Sequence, residues 1–214
     1  MSILVIAEHN NTEVKSSTLN TISAASKLGD QIEVLVLGSN IENISKEISS
    51  YQYVSKVIFL DSQKFEHAIA ENIEPVIVSI AENYSHILAP ATTFGKNIMP
   101  RVSVKLDVAQ ISDIISIESE DTFIRPIYAG NALATVRSKD PKKVITVRPT
   151  SFDVVAKEGG SGVVEQLNFD IGETKVEFID REESKSDRPE LSTARVVISG
   201  GRGLQSAENF KLIS

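Results

Sequence analysis

The sequence predicts an α/β fold: a mostly parallel sheet flanked by helices with an antiparallel extension, followed by the first strand–helix unit of a second α/β domain. Three observations predict it. Short continuous apolar runs alternate with amphipathic stretches through the first hundred residues, the pattern of strands buried on both faces between crossover helices. After Asp107 the pattern gives way to short strand-like pieces separated by turn residues. Near the end, the β-branched run Val196-Val197-Ile198 meets a cluster of glycines and then a second amphipathic start.

Taken in order, Ile3 to Ala7 reads as a buried strand. Glu13 to Leu28 reads as a helix through Val14, Leu19, Ile22, Ala25 and Leu28, with Gly29 closing it. Ile32 to Leu37 is a second strand ended by Gly38, and Ile41 to Ile48 a short helix striped by Ile41, Ile44 and Ile48. Val57 to Leu60 is a third strand ended by Asp61-Ser62. Lys64 to Asn83 is mostly helical, with a break or fresh start near Glu74 imposed by Pro75. His86 to Ala89 is a fourth strand, and Thr93 to Leu106 a helix with Pro100 near its middle, Thr92 or Thr93 standing as N-cap. Such alternation implies right-handed crossovers between parallel strands.

Ile111 to Ile117, Thr122 to Tyr128, Ala132 to Val136 and Val144 to Arg148 are the strand-like pieces of the antiparallel extension, or of the sheet's second edge. Gly159-Gly160-Ser161-Gly162 reads as a flexible loop, and Val163 to Phe178 as a strand pair turning near Phe169 to Gly172. Residues 1–180 then form one α/β domain, the charged stretch 181–193 a linker, and residues 194–214 the start of a second domain. A lone strand–helix unit cannot bury its own apolar face, so the sequence reads as cut at the threshold of that domain.

Composition narrows the function classes. A formal net charge of -7 over 214 residues disfavours nucleic acid, and the cluster Lys139, Lys142, Lys143 beside Asp140 reads as a solvated turn. The absence of cysteine excludes disulfides, thiolate catalysis and cysteine-ligated metal centres. No stretch has the ~20 apolar residues of a membrane span. The apolar run at the start is too short for a signal peptide and no basic region precedes it, which points to the bacterial cytoplasm, or to a mature form such as a mitochondrial-matrix protein after removal of a presequence.

The histidines His9, His67 and His86 have no partners at ligand spacing, so no metal site is expected. His9, after the first strand, stands where α/β folds bind ligands. Ser199 lacks the preceding glycine of a nucleophile elbow. Gly200-Gly201-Arg202-Gly203 is neither a Walker A loop nor a Gly-x-Gly-x-x-Gly fingerprint. With Arg195 to Ser199 as strand and Ser206 to Ile213 as helix, that turn would offer free backbone N–H groups and one planar cation, Arg202, to an anion. The run Arg125 to Ala132 reads as a hairpin around Gly130-Asn131, with Arg125, Tyr128 and Arg137 exposed for a partner.

Four pieces, Asp107-Val108-Ala109-Gln110-Ile111-Ser112-Asp113, Arg125-Pro126-Ile127-Tyr128-Ala129-Gly130-Asn131-Ala132, Val147-Arg148-Pro149, and Ser199-Gly200-Gly201-Arg202-Gly203-Leu204 with Glu208-Asn209-Phe210, resemble the electron transfer flavoprotein alpha subunit, and the likeness runs from Ile3 to Ile213. The resemblance implies a heterodimer with a beta subunit carrying electrons on one FAD. Its electrons would come from acyl-CoA and related dehydrogenases and go to a membrane quinone oxidoreductase, with no substrate turnover by the subunit itself. It implies a flavin-side role for Arg202 within the turn of Gly200, Gly201 and Gly203. Most other FAD-holding positions of the family have no counterpart in these 214 residues, which implies a truncated product or fragment that binds FAD weakly or not at all alone. A reading from another class is a self-contained adenine-nucleotide-binding α/β module using Glu8-His9 and Ala91 to Gly95. A third is a docking scaffold with the 125–137 hairpin as its interface.

Overall fold

In the computed structural model, residues 2–174, 176–182, 191, 194 and 196–213 are described. The chain divides into two compact units, residues 1–178 and 179–214. Most of the expected linker 181–193 lies outside the described residues.

The first unit is built on a seven-stranded sheet, every neighbouring pair parallel. Its strands are β1 (Ile3–Ile6), β2 (Ile32–Gly38), β3 (Val54–Asp61), β4 (His86–Pro90), β5 (Gln110–Ile114), β9 (Lys143–Val147) and β10 (Val163–Gln166), in the spatial order β10-β3-β2-β1-β4-β9-β5. A second, antiparallel sheet holds β6 (Ser116–Ile117), β7 (Thr122–Ile127) and β8 (Ala132–Arg137). The helices are α1 (Ser16–Ala25), α2 (Glu42–Ser49), α3 (Ala70–Ile80) and α4 (Thr93–Lys105).

The period of two along a strand sorts the core into two layers. Ile3 and Val5 of β1 join Leu19 and Ile22 of α1 and Ile44 and Ile48 of α2. Leu4 and Ile6 join Ile73, Val76 and Ile77 of α3 and Ile98, Met99 and Val102 of α4. Right-handed crossovers account for this division. The chain steps one way from β1 through β3, so α1 and α2 share a face; it then reverses to β4 and β5, so α3 and α4 take the other. The return from β5 to β9 must again cross the α1 side, and there Phe123 of β7 and Val136 of β8 pack into the first layer.

Several local expectations are corrected. Pro75 lies inside α3 without a break, because the buried stripe Ala70, Ile73, Val76, Ile77 continues across it and packing outweighs one lost backbone hydrogen bond. Helix α1 ends at Ala25, so Gly29 lies beyond its cap and is not its C′ residue. Thr92 occupies the N-cap of α4, but its hydroxyl makes no cap bond and turns to Glu8 instead. The piece from Ile111 splits: β5 joins the parallel sheet, and the chain leaves it at Ile114 to form β6. The piece from Val144 is likewise a parallel strand, β9, and not part of the antiparallel addition. Among the described residues of the expected strand pair, Val163–Gln166 alone is strand; Leu167, Phe169 and Ile171 instead pack irregularly on the second core layer. The 159–162 loop is docked: Gly160 and Gly162 donate N–H bonds to the carbonyls of Ser50 and Ser49 at 2.9 Å each. His67 lies outside α3 and stacks on Phe178, ring centroids 3.6 Å apart. Lys142 is also more than a solvated cation, donating to the carbonyls of Ala81, Glu82 and Tyr84 at 2.8–3.2 Å in the turn past α3.

In the second unit, the described residues of 194–200 form no strand, since no second strand among the described residues there supplies a ladder. Arg195, the expected first residue of that strand, lies outside the described residues. Arg202–Leu204 and Ala207–Leu212 are 3-10 turns in place of the expected α-helix start.

Candidate functional site

Three places hold the residues singled out by sequence. The first is the carboxyl end of the parallel sheet, where strand order reverses between β1 and β4. The Glu8 carboxylate, just past β1, accepts hydrogen bonds from Ser17 Oγ at 2.6 Å and Thr92 Oγ1 at 3.0 Å. These hydroxyls sit at the starts of α1 and α4, and neither helix has an acidic residue in its first turn or a side-chain cap. Glu8 therefore supplies the negative charge that both positive helix ends favour. His9 is not free for a ligand. Its Nδ1 accepts from the Asn11 backbone N–H at 3.1 Å, and burial lowers its pKa to about 4 against a partly offsetting bond to the Leu37 carbonyl. Asn11, at φ 68°, ties this loop on through Glu66 O and Ser39 N, at 2.8 and 3.1 Å. His86 is fully buried where His9 is half-buried, with ring nitrogens 2.8 Å from Ser85 Oγ and 2.7 Å from Glu120 O; burial lowers its pKa too.

The second place is the edge where β5, β9 and the antiparallel sheet meet. The backbone bulges between Ile111 and Ile114, and Asp113 adopts φ 59° there. That turn aims its carboxylate at Arg148, which pairs with it twofold through Nε, at 3.1 Å, and Nη2. Asp113 N also donates to Thr146 Oγ1 at 2.8 Å. Two of the motif pieces, distant in sequence, thus form one ion pair. Sequence reasoning missed it, although an Asp and an Arg closing neighbouring buried strands were its visible signal. In the hairpin, Tyr128 is 80% exposed, as expected. Arg137 is exposed and bonds Asp121 at 2.6 Å; with the Thr122 hydroxyl as the larger cause, this holds the Asp121 carboxyl at about 2. Arg125 departs from expectation: it is only partly exposed, and its Nε is buried without a hydrogen-bond partner.

The third place is the glycine turn. A Cβ at Gly200 would press on the ends of the Leu204 and Ile213 side chains, whereas Gly201 and Gly203 face open space. The left-handed residue of the turn is Gln205, at φ 65°. Gly201, Arg202, Gln205, Ser206, Ala207 and Phe210 line a cavity of about 330 Å³. With no strand before it among the described residues and 3-10 turns after it, the turn lacks the array of helical N–H groups expected from the sequence. Among the described residues, no cluster of His, Asp and Glu side chains could hold a metal, and no helix is long and apolar enough to cross a membrane.

A family profile described as electron transfer flavoprotein domain matches residues 3–171. The chain belongs to the electron transfer flavoprotein family. It is 52% identical over 213 residues to the electron transfer flavoprotein subunit alpha of Pseudomonas aeruginosa, covering 100% of this chain and 69% of that protein. It is 47% identical to the mitochondrial electron transfer flavoprotein subunit alpha of Dictyostelium discoideum, covering 98% of this chain and 64% of that one. To the subunit alpha of Paracoccus denitrificans it is 42% identical over 100% of this chain and 69% of that protein. The chain thus spans about two thirds of the length of these relatives.

Proposed function

We propose that this chain acts as the alpha subunit of an electron transfer flavoprotein, an electron carrier without substrate turnover of its own. In this reading it pairs with a beta subunit and carries electrons on FAD. Acyl-CoA and related dehydrogenases deliver those electrons, and a membrane quinone oxidoreductase receives them, in the bacterial cytoplasm or the mitochondrial matrix. The observation that carries the reading is likeness over the whole chain to proteins named as alpha subunits.

FAD, when bound, supplies the reversible redox chemistry. The described residues fit one wall of such a site: Gly201 and Gly203 leave the turn open to a close neighbour, and Arg202 offers a planar cation beside a cavity of about 330 Å³. They do not fit the whole cofactor, because ligand sites run to about 1,000 Å³ and bury most of the ligand's surface. In this reading Gly200 braces the turn against Leu204 and Ile213, and Arg202 stabilises negative charge on the reduced ring.

The adenine-nucleotide reading has the switch-point crevice in its favour, but Glu8 stands against it. A phosphate approaching the starts of α1 and α4 would meet a carboxylate already bonded to Ser17 and Thr92. Calorimetric titration with AMP, run beside coexpression with a beta subunit, separates the two readings. The carrier reading predicts no heat of AMP binding and a stable alpha–beta complex. Tight AMP binding by this chain with no complex would overturn it.

A further inference from the structure

We propose that the pocket between the antiparallel sheet and the start of β5 binds a small multivalent oxyanion of the phosphate class, with Arg125 as its principal ligand. The pocket, about 390 Å³, lies at the amino-terminal end of the parallel strands, opposite the end that holds Glu8. Its polar lining includes Arg125, Arg137 and Lys139, against Asp140 as the only acid.

Arg125 lies opposite Ala134 in the β7–β8 ladder, on the face that buries Phe123 against Val136. A strand residue on that face is expected to be apolar. A guanidinium there, with its Nε inaccessible and unbonded, costs about 1–3 kcal/mol unless an acceptor arrives. No described carboxylate meets that nitrogen: the Asp140 Oδ2 accepts instead from the Ala109 N–H at 2.8 Å. Arg137 has its Nε on Asp121, while Gln110 bonds Ser112 at 3.1 Å. Arg125 and Lys139 are therefore the cations left to face a guest, with Arg137 at the rim. With Arg137 neutralised by Asp121 and the Asp140 carboxylate turned to the Ala109 N–H, the two cations Arg125 and Lys139 favour a doubly charged anion, and a planar fork of donors suits its oxygens. This inference concerns the first unit alone and does not rest on the carrier reading.

The test is an NMR titration of the 214-residue chain with inorganic phosphate at low ionic strength, following the arginine Nε–Hε resonances. The proposal predicts a saturable shift of the Arg125 resonance in the millimolar range, with neither chloride at equal ionic strength nor acetate reproducing it. Arg125→Lys, which keeps the charge but loses the Nε donor, should weaken binding about tenfold, and Lys139→Met should weaken it less. An unmoved Arg125 resonance, an equal response to chloride or acetate, or undiminished phosphate binding in Arg125→Met would each overturn the proposal. If Arg125→Met does not fold, the wild-type resonance decides alone.

Discussion

Glu8 and His9 are adjacent, polar and placed at the ligand end of the sheet, yet each is committed to the protein's own groups. His9 gives the clearest pH prediction. Its pKa of about 4 in the folded chain lies below the ordinary ~6.5 of the unfolded one, so the unfolded state takes up the proton first. Stability is then full above about pH 6.5 and falls as pH drops towards 4, with His86 adding in the same direction. Urea unfolding at pH 7 and pH 4.5 should show a loss on the order of 2 kcal/mol in the wild type, and a smaller one in His9→Gln; equal losses would contradict this. Arg202 carries a different prediction. In the assembled flavoprotein, Arg202→Ala should lower the flavin's one-electron potential, measured by spectroelectrochemistry, and an unchanged potential would remove its proposed role. The positions of these residues were legible in sequence, while their partners were not. The bond of Glu8 to Thr92 joins chain segments far apart in sequence, and the burial of the Arg125 Nε depends on a register that only the folded hairpin sets.

Among the elements, the parallel strands and their helices were legible because apolar runs and helical stripes are local signals. Elements whose existence depends on a distant neighbour were not. Val163–Gln166 is a strand only because β3 offers a free edge, while the described part of 194–200 pairs with no strand among the described residues. The 159–162 segment was misjudged in the same way, its glycines serving to bring backbone onto backbone. An alanine Cβ at Gly160 would lie inside contact with the Tyr51 carbonyl, whereas at Gly159 it would meet open space but a φ of +95°. Gly160→Ala should therefore lower stability by about 2 kcal/mol through displaced backbone, and Gly159→Ala by about 1 kcal/mol through strain alone. Chemical denaturation of both variants checks the order. At the β5–β9 edge, a double-mutant cycle of Asp113→Ala and Arg148→Ala should give a coupling of about 1 kcal/mol, since both side chains remain partly exposed. Zero coupling would make the pair incidental.

In the molecule as a whole, the first unit joins a parallel sheet whose switch point holds Glu8 to an edge built by two motif pieces, and the second unit carries the glycine turn. Glu8, bonded to Ser17 and Thr92, occupies the place where such sheets take ligands. The function proposed for the chain therefore depends on what it assembles with. The direct test is purification of this protein from its native host through the chain itself, followed by an absorbance spectrum and identification of co-purifying subunits. The account predicts the visible absorption bands of a flavin and one beta-type partner in equal amount. A colourless preparation with no such partner would contradict it.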